Sequence, residues 1–535
     1  MAIELSNLMF TYQDDIVPSS GVEQILNTGV TNTLAGNDRI TGTYDPDSDI
    51  VFKNVGVLNT DDGNDTITGI GSPVYYYDNG YGISNSGTFN TGQGNDIISG
   101  IAGGVGISNS GTFNTADGND IIVADSEQTS GLLNSGTFNT AEGHDIITAD
   151  SGLGSGFENT GTFNTGEGND TITAKVGFGD GFYNSGTFNT AEGDDVITGE
   201  GHHDGILTNS GSIFDTGDGN DKIRGNAANY SNFPTSGITN YSSTFNTGDG
   251  NDTIDGSGHY GISNGAFINT GNGKDIITAN GTNGAYESNI GIYNSGTINT
   301  GNDDDIIIST AVVTDQGVIK SGIGISNDGT IDASDGNDSI ISVGNFTNKG
   351  NVFLGEGSDS IVADAGFPNR ALENFNAIDT GDGDDTITST GVIYNEGIIN
   401  TGNGDDSIIV DGGVNGTGDG YGIHNNGGAI NTGNGNDSII ANEGFESAAN
   451  SSGAWFLGEG EDYIKGYGSG DFYGGNGSDT LELTPGTYTV GRWGATVTFS
   501  KGSSLMLASE FEQLIAGSTT YNFASLTGGE TIVIV

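Results

Sequence analysis

The sequence predicts an all-β fold, a right-handed parallel β-solenoid of about 18 coils, and three observations carry that prediction. First, one phrase is written repeatedly: GISNSGTFNTADGNDIIVAD, GLLNSGTFNTAEGHDIITAD, GFENTGTFNTGEGNDTITAK and GFYNSGTFNTAEGDDVITGE lie between Gly106 and Glu200, with their central aspartates spaced by 25 residues. Self-similarity at a fixed period of this size marks a stack in which each unit buries its apolar face only against its neighbours. Second, 97 glycines, 6 prolines and 33% hydrophobic residues suit a thin, repetitive core better than a thick mixed one. Glycine without a three-residue period argues against collagen, and regularly placed isoleucine and phenylalanine argue against disorder. Third, the apolar residues fall into ladders.

Residues 1–30 are less repetitive and richer in large apolar groups such as Ile3, Leu5, Leu8, Phe10 and Ile16, as expected of an N-terminal cap. Residues 31–480 form the solenoid. Its phrase carries an aspartate at Asp38, Asp65, Asp96, Asp120, Asp145, Asp170, Asp195, Asp221, Asp252, Asp275, Asp305, Asp338, Asp359, Asp385, Asp406, Asp437, Asp462 and Asp479. Two residues after each stands an isoleucine, from Ile40 to Ile464, with Leu481 closing the series. Seven before stand Leu58, phenylalanines from Phe89 to Phe245, then mostly isoleucine up to Ile430, with Trp455 and Phe472 last. Thirteen before come Ile83, Ile107, Leu132, Phe157 and Phe182. Three inward ladders separated by turns such as Ser110-Gly111 imply about three strands per coil.

Length variation collects beyond the last strand of each coil, in loops on one edge such as residues 226–236. Asn85, Asn109, Asn134, Asn159, Asn184, Asn209, Asn264 and Asn294 precede turns, where amides either stack from coil to coil or simply shape each turn. Thr91, Thr115, Thr140, Thr165 and Thr190 are read as turn-shaping residues in preference to a flat rank facing ice. Residues 481–535 alternate apolar and polar groups and are expected to form a β-rich C-terminal cap.

The repeated loop has its own chemistry. In GEGNDTI (Gly166–Ile172) and GDGNDTI (Gly248–Ile254), glycines let the backbone turn several carbonyls toward one point while an aspartate supplies charge. Calcium takes six to eight oxygens of this kind. One loop cannot fill that shell, but two loops stacked one coil apart can. Aspartates stacked about 5 Å apart repel by roughly 1–3 kcal/mol per pair, a liability that a bound cation reverses.

These residues resemble the RTX, or hemolysin-type, calcium-binding nonapeptide GGxGxDxUx, over its second to eighth positions and from about residue 34 to residue 480. The resemblance implies multiple Ca2+ ions held between successive coils by the aspartates named above, with Gly118, Gly143, Gly168 and Gly193 as turn glycines. It also implies one ladder along one edge, because each coil carries a single loop and tandem nonapeptides are absent. Thr91, Thr115 and Thr140 stand where the family has its first glycine. Asp303 replaces a turn glycine and sets Asp305 apart from the predicted ligands, while Lys274 is expected to weaken its site.

A formal charge of −58 repels nucleic acid and anionic membrane and invites cations. There is no cysteine for a disulfide or thiolate site, no basic-then-apolar leader, and no apolar run long enough for a membrane span. The ending GGETIVIV is similar to the uncleaved signal with which RTX-type proteins leave the cell by type I secretion. Paired acids such as Asp194-Asp195 recur as part of the loop, so they are not read as glycosidase carboxylates. The adjacent His202 and His203 are read as ordinary loop residues, and Tyr75–Tyr77 as packing over a neighbouring coil.

The expected function is that of a secreted, non-enzymatic, calcium-stiffened structural protein at the cell surface, as in an S-layer, extracellular matrix, adhesion or motility coat. Self-association or cell-surface polysaccharide is the expected partnership. The alternative is a carbohydrate-binding or carbohydrate-active β-helix protein, which requires non-repeating acidic, basic and aromatic residues to converge on adjacent coils. Arg370, Lys320 and Tyr286 are candidates for that cluster.

Overall fold

The protein is a parallel β-solenoid. The computed structural model describes residues 2–18, 23–43, 49–71, 80–228, 234–282, 289–315, 318–364, 370–412, 421–447 and 453–535, with backbone alone for those of residues 312–321 it includes. Two compact units emerge, Met1–Asn272 with Thr278–Asn280, and Gly273–Ile277 with Gly281–Val535.

In the first unit each regular coil gives one strand to each of three parallel sheets. Val105–Asn109 belongs to sheet 1, Thr112–Asn114 to sheet 2 and Ile121–Ser126 to sheet 3. The sequence ladders set the register: Ile107 pairs with Leu132, Phe113 with Phe138, and Ile122 with Ile147. All six are fully buried. Sheet 3 alternates buried and outward residues, the period-two pattern of a half-buried strand. Beneath sheet 2 the rings of Phe89, Phe113 and Phe138 stack at 4.3 and 4.4 Å between centroids, within 8° of parallel. Each buried ring contributes roughly 1.5–3 kcal/mol by leaving water, and offset stacking adds to it.

Sheets 1 and 2 meet at the Ser-Gly turn, where a bare Cα is a requirement. A Cβ on Gly111 would lie 2.1 Å from the carbonyl oxygen of Gly87 in the neighbouring coil. The asparagine before this turn points inward and stacks. Asn85 donates to Oδ1 of Asn109 at 2.8 Å, Asn109 to Asn134 and Asn134 to Asn159 at the same distance, each also reaching a carbonyl in the next coil's strand of sheet 2, such as Thr137 O for Asn109. Asn209 is not in this ladder. Thr208 takes its register between Asn184 and Asn240, and the Asn209 amide bonds the Tyr183 hydroxyl instead, because that coil turns one residue later.

Coil strands also occur before residue 30. Ala2–Glu4 pairs with Gln24–Asn27 in sheet 1, and Ile16–Val17 pairs with Arg39–Ile40 in sheet 3, so Val17 occupies the isoleucine ladder. The 3-10 turn Leu5–Asn7 follows directly and buries Leu5.

The second unit repeats the plan, with Ile325, Ile331 and Ile340 filling its three ladders and Asn327, Asn348 and Asn374 continuing amide stacking. Beyond residue 481, Ser504–Ser509 and Gln513–Ala516 still pair in parallel with Gly470–Gly477 and Thr480–Leu483. Between these coil strands, Gly486–Trp493 and Thr496–Lys501 form an antiparallel hairpin, and Thr531–Ile534 adds to it as an antiparallel strand with Ile532 and Ile534 buried. No described helix is long and apolar enough to cross a membrane.

Candidate metal centre

The glycine turn between sheets 2 and 3 carries the predicted aspartates, and every one of them is buried, at most 2% exposed. They curl into the turn and do one structural job. In the first unit the N–H of Asp38 donates to Oδ1 of Asp65, Asp65 to Asp96, Asp96 to Asp120, Asp120 to Asp145, Asp145 to Asp170, Asp170 to Asp195, Asp195 to Asp221 and Asp221 to Asp252, all at 2.7–2.8 Å. In the second the same chain runs through Asp275, Asp305, Asp338, Asp359, Asp385, Asp406, Asp437, Asp462 and Asp479.

Two members of the ladder were not recognised in the sequence. Asp15 opens it by donating to Asp38 Oδ1, and Glu512 closes it by accepting from the Asp479 N–H at 2.9 Å. Asp15-Ile16-Val17 spells the aspartate and +2 aliphatic without the glycine turn, and Glu512 lengthens the acid by a methylene; either signal was findable from the aliphatic residue two positions on.

One residue earlier a second rank runs the opposite way on the exposed side. Asn95 donates its N–H to Oδ1 of Asn64, Asn119 to Asn95, and His144 to Asn119, each pointing to the preceding coil. His144 holds its place by accepting the Asn169 N–H on Nδ1 at 2.7 Å. Lys274 belongs to this outer rank too, and its ammonium bonds the Asp304 carboxylate, which is thereby held well below the usual carboxylate range. Asp303 keeps the turn with φ +86°, a left-handed conformation costly outside glycine, and donates its N–H to Asp335 O. Asp305 accordingly sits in the ladder like its neighbours.

The second carboxylate oxygen decides what the turn can hold. Oδ2 of Asp38, Asp65, Asp96, Asp120, Asp145, Asp170, Asp195 and Asp221 is buried without a hydrogen-bond partner, and so are those of Asp305, Asp338, Asp359, Asp406, Asp437, Asp462 and Asp479. At Asp385 the Thr380 hydroxyl reaches Oδ2 at 2.6 Å. A buried, unpartnered carboxylate oxygen is costly unless a proton or a cation joins it. Burial pushes the Asp120 carboxyl up to about 7; the Asp96 N–H on Oδ1 opposes the rise and the charge of Asp145 adds to it. The same balance takes Asp96, Asp145 and Asp170 to about 7, and Asp221 and Asp338 to about 8.

Turn carbonyls supply further oxygens. The carbonyl of Gly118 points at the bare Cα of Gly143, where a Cβ would come within 1.7 Å, and it accepts no backbone N–H. In the first unit the carbonyls of Ala116 and Ala141 are also without N–H donors, whereas in the second unit Gly355 O accepts from Asp382 at 3.0 Å and Gly402 O from Asn434 at 2.9 Å. The first unit's turns therefore keep more oxygens free. Among the described residues no three His, Cys, Asp or Glu side chains converge, so a cation here must complete its shell with carbonyls. An all-oxygen set of carboxylate and carbonyls fits a hard cation such as calcium.

The predicted threonine rank is inward: Thr91, Thr115, Thr140, Thr165 and Thr190 are buried beside the aspartates, and the Thr140 hydroxyl donates to Thr165 O at 3.0 Å. Tyr75–Tyr77 and Tyr286 lie outside the described residues, as does the side chain of Lys320. Arg370 has aromatic and acidic company. Its guanidinium stands 3.7 Å over the Tyr394 ring and bonds Glu373 at 2.8 Å, while the Tyr394 hydroxyl bonds Glu396 and accepts from Asn426. His424, next in the same rank, faces Glu446 at 3.6 Å.

No family model matches the chain, and no curated protein matches it. Among solved structures, a hyperactive, Ca2+-dependent, β-helical antifreeze protein from an Antarctic bacterium is similar at 16% identity and a TM-score of 0.26, over 80% of this chain and 83% of that one. A likeness so distant assigns no role to this chain.

Proposed function

We propose that this protein is a secreted, calcium-binding structural protein of the cell surface or extracellular matrix, folded and stiffened by cations in its glycine turns. The observation that carries the reading is the row of buried Asp Oδ2 atoms without donors. Asp120, Asp145, Asp170 and Asp195 would hold the ions together with carbonyls such as those of Gly118 and Gly143. When bound, calcium supplies charge that cancels the repulsion between stacked carboxylates and converts it to attraction. The protein's own contribution is geometric: Oδ1 is tied to a backbone N–H, which fixes the carboxylate and leaves Oδ2 for the ion.

Export and a surface location are supported by the −58 charge, by weak sites of a class that extracellular calcium can fill, and by the C-terminal resemblance to type I secretion signals. A structural rather than catalytic role is supported by the recurrence of the paired acids as loop elements in successive coils. The test is titration of the chelated protein with calcium, followed by circular dichroism and calorimetry. Gain of β signal with several ions bound per chain is expected; an unchanged spectrum and no heat of binding overturn the reading.

One observation favours the carbohydrate reading as a second. Arg370, Glu373, Tyr394, His424 and Glu446 are non-repeating and set on adjacent coils of sheet 1, with Glu396 just past the Tyr394 strand, and they pair as Arg370 with Glu373, Tyr394 with Glu396 and His424 with Glu446. Binding on a glycan array that is lost in Arg370→Ala would establish it, and an array without signal would remove it.

A further inference from the structure

The outward residues of the first unit obey different rules on different sheets. On sheet 3, paired positions read Ile101, Asp125, Asp150, Lys175 and Glu200, and on sheet 1 they read Ser84, Ser108, Leu133, Glu158 and Tyr183. On sheet 2 the same five coils read Thr88, Thr112, Thr137, Thr162 and Thr187, and two residues on every one reads asparagine, from Asn90 to Asn189. Folding does not impose this. At the threonine position, other coils of the unit carry Val57, Ile213 and Phe267. The identity of the threonine rank therefore answers to something outside the core, whereas the asparagine rank persists beside Val57 and Phe267, as Asn59 and Asn269, and serves the amide ladder as well.

The ranks are built to be regular. Phenylalanines stack in register beneath them, and the asparagines are tied along the stack, Asn114 donating to Asn90 at 2.8 Å, Asn139 to Asn114 at 2.9 Å and Asn164 to Asn139 at 2.8 Å. The threonine hydroxyls have no protein partner among the described residues, Thr112, Thr137 and Thr162 are exposed, and the two ranks wall an open trough. No charged side chain stands in these strands, in a chain of formal charge −58. The result is a grid of hydroxyl, methyl and amide groups repeating at roughly 4.8 Å along the stack and roughly 6.7 Å across it.

A partner that rewards the same pair in each coil must itself have a translational repeat. A second copy does not suffice, because five coils by one strand present about 300 Å², well under the roughly 800 Å² per partner of a stable dimer. A crystalline polysaccharide is recognised by flat aromatic faces, and every aromatic ring in these strands is buried. An uncharged lattice of hydrogen-bonding oxygens remains. We propose that the Thr88–Asn189 face of sheet 2 adsorbs to ice, ordering water in its trough on a repeat close to that of the crystal.

The proposal is independent of what fills the glycine turns, and the experiment is run with the full chain in millimolar calcium. The protein is partitioned between a slowly grown ice front and the remaining liquid, beside Thr137→Tyr/Thr162→Tyr and the control Leu133→Tyr, with circular dichroism confirming that all three are folded. The wild type and the control are expected to enter the ice. The double variant is expected to lose about tenfold in ice-to-liquid ratio, equivalent to about 1.4 kcal/mol. A wild type excluded from ice, an unaffected folded double variant, or retention on chitin or cellulose in place of ice overturns the proposal.

Discussion

The backbone N–H of Asp120 donates to Oδ1 of Asp145 at 2.8 Å, while Oδ2 of Asp145 is buried with no donor. One carboxylate thus joins two coils with half of its capacity and holds the other half in reserve. Stacking buries the second oxygen whether or not anything neutralises it, so the fold creates its own demand for a cation or a proton.

That division of labour separates two substitutions. Asp145→Ala removes the acceptor of the Asp120 N–H and is expected to cost about 1–3 kcal/mol with or without calcium. Asp145→Asn keeps the acceptor and removes the charge. It is expected to equal or exceed the wild type in chelator at pH 8 and to gain less from calcium. Denaturant midpoints of both variants, measured in calcium and in chelator, check this; an Asn variant that is weaker than wild type in both media would place the carboxylate's role in hydrogen bonding alone.

The titration of the ladder has a definite sign. Burial raises Asp96, Asp120, Asp145 and Asp170 to about 7 in the folded chain, so the metal-free fold binds more protons than the unfolded chain between the ordinary aspartate range and about pH 7. Its stability is fully present below that window and falls as pH rises through it. Melting in chelator is expected to be higher at pH 5 than at pH 8. With saturating calcium, which displaces the protons, the fall should shrink or reverse. Melting curves at both pH values in both media decide the matter, and identical pH profiles would remove the cation from the ladder.

The glycine two residues before most ladder aspartates, with Asp303 before Asp305 an exception, is demanded by the neighbouring coil. Gly168 has φ +135°, and a Cβ on it would stand 1.6 Å from the carbonyl oxygen of Gly143. Gly168→Ala is therefore expected to push two coils apart and destabilise by about 3 kcal/mol or more, in the class of strained-backbone substitutions. Gly211 is the control, with φ +78° but nothing within 4 Å of its missing Cβ, and its alanine variant should cost only about 1 kcal/mol.

How far the sequence could be read follows from which forces repeat. The isoleucine, phenylalanine and aspartate ladders were legible because each coil must meet the same neighbour, and Ile122, Phe113 and Asp120 stand where the repeat places them. Direction was less legible. Thr115 and Thr112 belong to the same short segment, yet the first is buried beside Asp120 and the second faces solvent, a difference set by where the strand ends and the turn begins. The ends were hidden for another reason. Asp15 and Glu512 keep the ladder's hydrogen bond but not its glycines, because an end coil has a neighbour on one side only. The cluster around Arg370 leaves no repeat signal and becomes visible only when the register brings Tyr394 and His424 beside it.

Asparagine stacking offers the most direct test of the register itself. The Asn134 amide is fully buried, accepts from Asn109, and donates both to Asn159 Oδ1 at 2.8 Å and to Thr162 O at 2.9 Å. Asn134→Ala leaves those partners buried with one bond fewer each, so a loss of about 2–4 kcal/mol is expected. Asn209 has the same sequence context, a turn following a strand of sheet 1, but its half-exposed amide stays outside the ladder, donating to the Tyr183 hydroxyl at 3.0 Å and accepting the Ser210 N–H at 2.8 Å. Asn209→Ala should cost less than about 1 kcal/mol. Equal losses at the two positions would mean that these asparagines act as turn formers; a large difference in denaturant midpoint identifies the interior amide ladder as what fixes one coil upon the next.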